Sequence, residues 1–229
     1  MKLLIIDTET SGIDSKIHHV VEVGAILYSV SHQTILYQIS SLLNAPHNEA
    51  ENINRIPEGV LKTIPELMQR RFIKVLQSMA EEANFIVAHN ASFDKQWFDE
   101  QHLPILKNFL DEPIPWLCTM EDFIFPKQHK PIMSLVDLAL SHGIGVNSNH
   151  RALTDCQLIA ALFERMDDLD NMVNHANRPK SNYKAEVTFE QKDLAKMAGF
   201  QWNSIEKIWS RRMAKDDIDK LAFNVTEIF

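Results

Sequence analysis

The 229-residue sequence predicts an α/β or α+β fold, a layered sheet covered by helices, followed by a small C-terminal α/β module. Three observations carry that prediction. Strand-like apolar runs come first, at residues 2–6, 20–28 and 34–40. Strand–helix alternation follows, as expected of a sheet with helices packed on it. A polar, punctuated stretch around residues 174–182 then separates this part from a second, shorter pattern of strands and helices.

Leu3, Leu4, Ile5 and Ile6, bounded by Lys2 and Asp7, read as a short buried strand. Residues 20–28 and 34–40 are two more strands joined across the polar turn Ser31-His32-Gln33, the start of a meander. Residues 45–56 read as loop. Pro57 suits the first turn of a short helix, and Pro65 opens a longer one whose Leu67, Phe72, Val75, Leu76 and Met79 recur at helical spacing. Residues 84–88 form another buried strand, running into His89-Asn90-Ala91-Ser92-Phe93-Asp94 and a helix expected to reach about His102. A short strand at 114–119 and helices at 134–142 and 151–166 complete the first domain, placed at 1–170. Residues 171–183 are expected as linker. The module at 184–229 reads as strand 185–188, helix 190–197, strands 200–202 and 207–211, helix 216–221 and strand 223–228.

Composition excludes several classes. The 45% hydrophobic and 24% charged content is that of a globular protein. No apolar run is long enough to cross a bilayer, and the chain enters a strand without a signal segment, so a cytoplasmic location and no membrane partner are expected. Cys118 and Cys156 lie in apolar stretches and read as buried thiols rather than a disulfide or metal site. The net charge of −8 is unevenly spread: from Arg178 onward there are 10 basic and 8 acidic residues. The preceding part is therefore strongly acidic, which fits an acidic surface or a carboxylate metal site equally.

The acidic residues have a pattern. Asp7 and Glu9 are two apart at the end of a strand and so point to the same side. Two unit charges about 4 Å apart repel by roughly 4 kcal/mol at an effective dielectric near 20, which calls for a cation. A turn with Glu9 in water and Gly12 at its end is the alternative for this stretch alone. Asp94 follows at a strand-to-helix junction. His150 and Asp155 are five apart, about 140° around an ideal helix, so they share a site only if His150 lies in the loop before the helix. Asp155 would then sit in the first turn, near the positive helix end.

Asp7-Thr8-Glu9-Thr10-Ser11-Gly12, then His89 to Asp94, then His150-Arg151-Ala152-Leu153-Thr154-Asp155 resemble, in this order, the motifs of the DEDDh (DnaQ-like) 3′→5′ exonucleases. The resemblance covers about residues 1–168. Within the family, Trp116 to Met120 and His150 to Cys156 look most like the exodeoxyribonuclease X branch. The resemblance implies a ribonuclease H-like mixed five-stranded sheet. It implies two ions, Mg²⁺ or Mn²⁺, held by Asp7, Glu9, Asp94 and Asp155, with Asp7 bridging and His150 as general base. Four carboxylates near −4 would be balanced by two ions near +4, and hard oxygen ligands suit these ions. An imidazole ordinarily titrates near 6.5, close to neutrality. Thr10 would contact the terminal nucleotide, Ile13 would wedge against the last base or else cover the core, and Asn90 would hold the loop or touch substrate. His89 and Phe93 read as structural.

The expected function is therefore hydrolysis of DNA, at single-stranded or frayed ends, to nucleoside 5′-monophosphates, by a free-standing repair or clean-up enzyme. A polymerase proofreading subunit ranks behind it, because the C-terminal part reads as a folded module rather than a flexible polymerase-binding tail. An exoribonuclease of the same family is the alternative, since no motif reads the 2′-hydroxyl. A non-catalytic nucleic-acid-binding scaffold on the same fold would predict eroded ligands, and none of the five is eroded. In the module, Trp202 and Trp209 would stack bases while Lys207, Arg211 and Arg212 track phosphates, or the tryptophans fill the module's core. The sequence carries no signature of oligomeric state.

Overall fold

The computed structural model describes residues 1–147 and 150–228. Strands β1 (Lys2–Thr10), β2 (Val20–Ser29) and β3 (Thr34–Leu42) form an antiparallel meander. Helices α1 (Glu51–Asn54), α2 (Glu58–Leu61) and α3 (Glu66–Glu81) follow. Then come β4 (Phe85–Ala88), α4 (Ala91–Lys95), β5 (Trp116–Cys118), α5 (Leu135–Ser141), α6 (Ala152–Phe163) and α7 (Leu169–Ala176). The sheet order is β3-β2-β1-β4-β5, with β4 and β5 parallel to β1, so it is mixed and five-stranded as expected.

The central place of β1 follows from its composition. Leu3 to Ile6 are fully buried, alternating between two cores. Leu3 and Ile5 pack with α5, α6 and α7 on one face, while Leu4 and Ile6 pack with α3 and Trp97 on the other. Such burial on both faces explains the continuous apolar run. Because β4 runs parallel to β1, the loop after β4 emerges beside the end of β1, where ligand clefts of such sheets open.

The second sheet has the order β7-β8-β6-β9, all antiparallel: β6 (Lys180–Ala185), β7 (Gln201–Asn203), β8 (Ile208–Ala214) and β9 (Val225–Ile228). Helix α8 (Lys192–Met197) and 3-10 turns at Phe189–Gln191 and Lys215–Lys220 complete it. The fold is thus a helix-flanked five-stranded α/β sheet with a smaller C-terminal α/β sheet.

Several expectations change. Residues 171–183, expected as linker, hold most of α7 and the start of β6, an interior strand of the second sheet. The polarity there has two causes: β6 buries only Tyr183 and Ala185, and its Lys180 ammonium pairs with buried Asp122 of the first domain at 2.9 Å. The first strand of the module is accordingly 180–185 rather than 185–188. The helix expected from 91 to about 102 stops at Lys95, and the chain then turns. Asp99 Oδ1 accepts the backbone N–H groups of Gln101 and His102 at 2.8 Å each, a local side-chain bond that competes with helix. The stretch 45–56 contains α1, and the 216–221 helix is a 3-10 turn. Among the described residues no helix is long and apolar enough to cross a membrane.

Candidate active site

The end of β1 delivers Asp7 and Glu9 to one side of the sheet. Between them, Thr8 donates its N–H and its hydroxyl to Asp94 Oδ1 at 2.9 and 2.8 Å. That clamp ties α4 to β1 and fixes Asp94, only 2% exposed, beside the pair. Asn90, in the left-handed region at φ 69°, makes the turn from β4 into α4. Asp155 lies in the first turn of α6. His150 precedes that helix, as its sharing a site with Asp155 requires, while Ser148 and Asn149 of the loop lie outside the described residues. The five side chains line one cleft of about 670 Å³, together with Thr10, Ile13, Asn90 and Phe93. Glu9, His150 and Asp155 each offer a ligand atom within 4.8 Å of the others.

The electrostatics are those of a site short of positive charge. Desolvation at the base of the cleft, then Asp94, Asp155, Glu9 and Glu22, push the Asp7 carboxyl well above the usual range. Burial, then Asp155, raises Glu9 to about 8. Burial raises Asp94 to about 7 against the opposing Thr8 hydrogen bonds, and Asp155 to about 6. Asp155 Oδ1 is buried and has no hydrogen-bond partner among the described residues. An unsatisfied carboxylate oxygen among mutually repelling carboxylates is the donor set a hard divalent cation fits.

One part of this architecture gave no signal at the sequence level. Glu22 lies directly across from Glu9 in the β1–β2 ladder, an arrangement of like charges that destabilises a sheet. Arg151 resolves it. Its Nε and one terminal nitrogen each donate to the Glu22 carboxylate at 2.9 Å, and the Ala152 N–H at the start of α6 donates at 3.1 Å. Gly24, two residues on, lets the helix approach: a Cβ there would lie 2.4 Å from the Ala152 carbonyl carbon. The N-terminus of α6, with His150 and Asp155, is thereby pinned to β2.

Residues 4–163 match the exonuclease family described as "Exonuclease" (RNase_T), and residues 181–228 match a domain of unknown function, DUF8626. The chain is a member of the DEDDh exonuclease family. Among curated proteins it is similar to the DNA polymerase III subunit epsilon of Treponema pallidum (strain Nichols), 27% identical over 183 residues, covering 76% of this chain and 82% of that protein. Among solved structures, exonuclease X in complex with 5′ overhanging duplex DNA is 27% identical with TM-score 0.54, covering 76% of this chain and 99% of that one. Escherichia coli exonuclease I in complex with a dT13 oligonucleotide shares the fold at 14% identity and TM-score 0.60, covering 86% of this chain and 50% of that one.

The remaining site residues of this DEDDh chain sort as follows. Ile13 is 81% exposed, so it stands over the cleft instead of covering the core. Ile53, which the loop reading of 45–56 concealed, joins it on the cleft wall from α1 at 52% exposure. Thr10 donates its hydroxyl to the Gly12 carbonyl, and its own carbonyl accepts from buried Asn54. His89 spans Thr119 Oγ1 and the Met133 carbonyl at 3.0 Å each, a structural tie. Phe93 packs partly into the α3 core, edge-on to Trp97, and also lines the cleft. The five module residues divide: Trp202, Lys207 and Trp209 line one cleft, whereas Arg211 and Arg212 line another. There Arg212 pairs with Asp122 at 3.2 Å and Arg211 donates to the Ala198 carbonyl.

Proposed function

We propose that this exonuclease removes nucleotides from the 3′ end of DNA, at single-stranded or frayed ends, releasing nucleoside 5′-monophosphates with two Mg²⁺ or Mn²⁺ ions. The observation that carries the proposal is the convergence of Asp7, Glu9, Asp94, Asp155 and His150 on one cleft, with an unpartnered Asp155 oxygen in it. Asp7, Glu9 and Asp155 would hold one ion and Asp7 with Asp94 the other. Bound there, the ions would neutralise the carboxylates, acidify the attacking water and stabilise the leaving 3′ oxygen.

The protein's own residues do the rest. His150, exposed at the cleft mouth and within reach of Glu9 and Asp155, takes the proton of the attacking water on a ring nitrogen. Thr8 holds Asp94 in place, and the Glu22–Arg151 pair sets the position from which His150 acts. Ile13 and Ile53 offer apolar surface to the terminal base, and Thr10 and Asn90 offer polar groups to its sugar.

The preference for DNA over RNA draws support from the relatives, whose names record a DNA polymerase subunit and a complex with duplex DNA. A cytoplasmic location, in which the two free, buried cysteines stay reduced, belongs to the same proposal. Asp7→Ala and Asp155→Ala should each reduce release of mononucleotides from labelled DNA to background while the circular dichroism spectrum is retained. A purified variant that keeps its turnover would refute the assignment. Matched DNA and RNA oligonucleotides decide the substrate class.

A further inference from the structure

The C-terminal module has a core of its own, made of Tyr183, Ala185, Ala195, Phe200 and Met213, each at most 5% exposed. Trp202 is not part of it. That ring is 50% exposed and Phe189 is 75% exposed, while Trp209 rests one side on the core. The three rings line a cleft of about 580 Å³. Trp202 and Trp209 are direct partners across β7 and β8, their centres 5.6 Å apart and their planes tilted by 56°. Packing does not require this display, because the module's interior is already filled. Adjacent exposed aromatic surface of this kind marks a binding site.

The rim of the cleft selects the ligand. Lys184, Lys192 and Lys207 surround the rings, with the Lys192 Nζ 3.9 Å from the Phe189 ring centre. The one carboxylate among the described residues of the lining, Glu186, is paired with Lys184 at 3.3 Å and also accepts from the Thr226 hydroxyl. Flat aromatic faces ringed by cations match unpaired bases joined by phosphates. An acidic peptide would satisfy the lysines and leave the ring faces without stacking partners.

Continuity points to the same strand that is degraded. Arg211, two residues and roughly 7 Å beyond Trp209 and so on the same face of β8, lines a second cleft, of about 310 Å³, to which Arg212 also contributes. Its walls include Ser210, Arg211 and Arg212 from the module and Ser92 and Glu121 from the exonuclease domain. Burial, then Asp122, pushes the Glu121 carboxyl up, toward its neutral form. Ser92 adjoins Phe93 and stands two residues from both Asn90 and Asp94 of the catalytic cleft.

We propose that the aromatic cleft between Phe189, Trp202 and Trp209 binds unpaired nucleotides of the strand whose 3′ end occupies the carboxylate cleft, with Arg211 and Arg212 along the path between them. This assignment gives the module of unknown function a substrate-holding role and rests on the nuclease reading. It makes the enzyme favour strands long enough to reach both clefts.

The test uses the full chain, with Trp202→Ala and, as a second variant at a more exposed position, Phe189→Ser. Affinity for a labelled oligothymidylate of about twenty nucleotides is read by anisotropy in chelator, and kcat/KM is compared for that strand and for a thymidine trinucleotide. Each variant is expected to bind the long strand roughly five- to a hundredfold more weakly and to lose much of its preference for long over short substrate. Equal affinity and equal length preference in both variants overturn the proposal, as does a wild-type chain that hydrolyses the trinucleotide but shows no preference for length. If the wild type hydrolyses neither substrate, the nuclease reading fails, and the binding arm alone decides the cleft.

Discussion

The carboxylate cleft and the aromatic cleft are built by opposite means. The first is set into the most deeply packed part of the molecule, where β1 is buried on both faces and α6 lies against β1 and β2. Its charges are held in place and mutually repelling. The second lies on a four-stranded sheet with a small core, and its rings and lysines stand at the surface with few contacts to hold them. Chemistry on a phosphodiester needs ligands fixed to within a fraction of an ångström, and only a rigid scaffold can hold such charges together. Holding a flexible strand, the role proposed for the module, needs area and charge more than rigidity.

The comparison breaks most readily at the joint between the two regions. Asp122, itself buried, accepts the Lys180 ammonium at 2.9 Å, the Arg212 guanidinium at 3.2 Å and the Cys118 N–H at 2.8 Å. Lys180 is nearly as buried, at 6% side-chain exposure. Removing one partner of a buried pair strands the other charge, at a cost of about 3 kcal/mol. Asp122→Ala should therefore lower the denaturation midpoint by that equivalent, and limited proteolysis should release a fragment near residues 177–180. An unchanged midpoint and cleavage pattern would mean that the module is held by other contacts.

A smaller effect, confined to the rigid region, is expected at Glu22. Glu22→Gln keeps the volume and removes the charge that Arg151 and the Ala152 N–H meet. Outer-shell partners of this kind are worth roughly 10- to 100-fold in activity or metal affinity. The loss should fall on kcat and on the Mn²⁺ concentration needed for half activity, with KM for DNA nearly unchanged, and Glu22→Asp should recover part of it. A loss confined to KM, or a melting temperature lowered in proportion to the lost activity, would argue that Glu22 merely supports the fold.

The same contrast governs what the sequence revealed. Burial on both faces made β1 a continuous apolar run, and Asp7, Glu9, Asp94, His150 and Asp155 stood in spaced motifs, so the deep site could be read before its geometry was known. Glu22 could not, because a carboxylate in an otherwise apolar strand looks like a surface residue until its register opposite Glu9 and its contact with Arg151 are known. β6 was concealed for a related reason: half its residues face solvent or the other domain, so its polarity resembled a linker. After the early end of α4, the Asp99 side chain accepts the backbone N–H groups of Gln101 and His102, a local turn with no periodic signature.

The last prediction tests the repulsion itself. Glu9, Asp94 and Asp155 titrate near 8, 7 and 6 in the fold, above the ordinary range near 4 of an unfolded chain. Between these limits the folded protein binds more protons than the unfolded one, so their contribution to stability is greatest below about pH 4 and declines as pH rises toward 8. In chelator, the melting temperature should therefore fall from pH 5.5 to pH 8, by roughly 3 °C for each kcal/mol lost. Mg²⁺ or Mn²⁺ binds the ionised carboxylates and should raise the melting temperature more at pH 8 than at pH 5.5, where protons compete. Asp155→Asn removes one of the repelling groups, so its metal-free melting temperature should depend less on pH and respond less to the ion. A metal-free melting temperature that rises toward pH 8, or an ion effect equal at both pH values, would show that the carboxylates are relieved by something other than a cation.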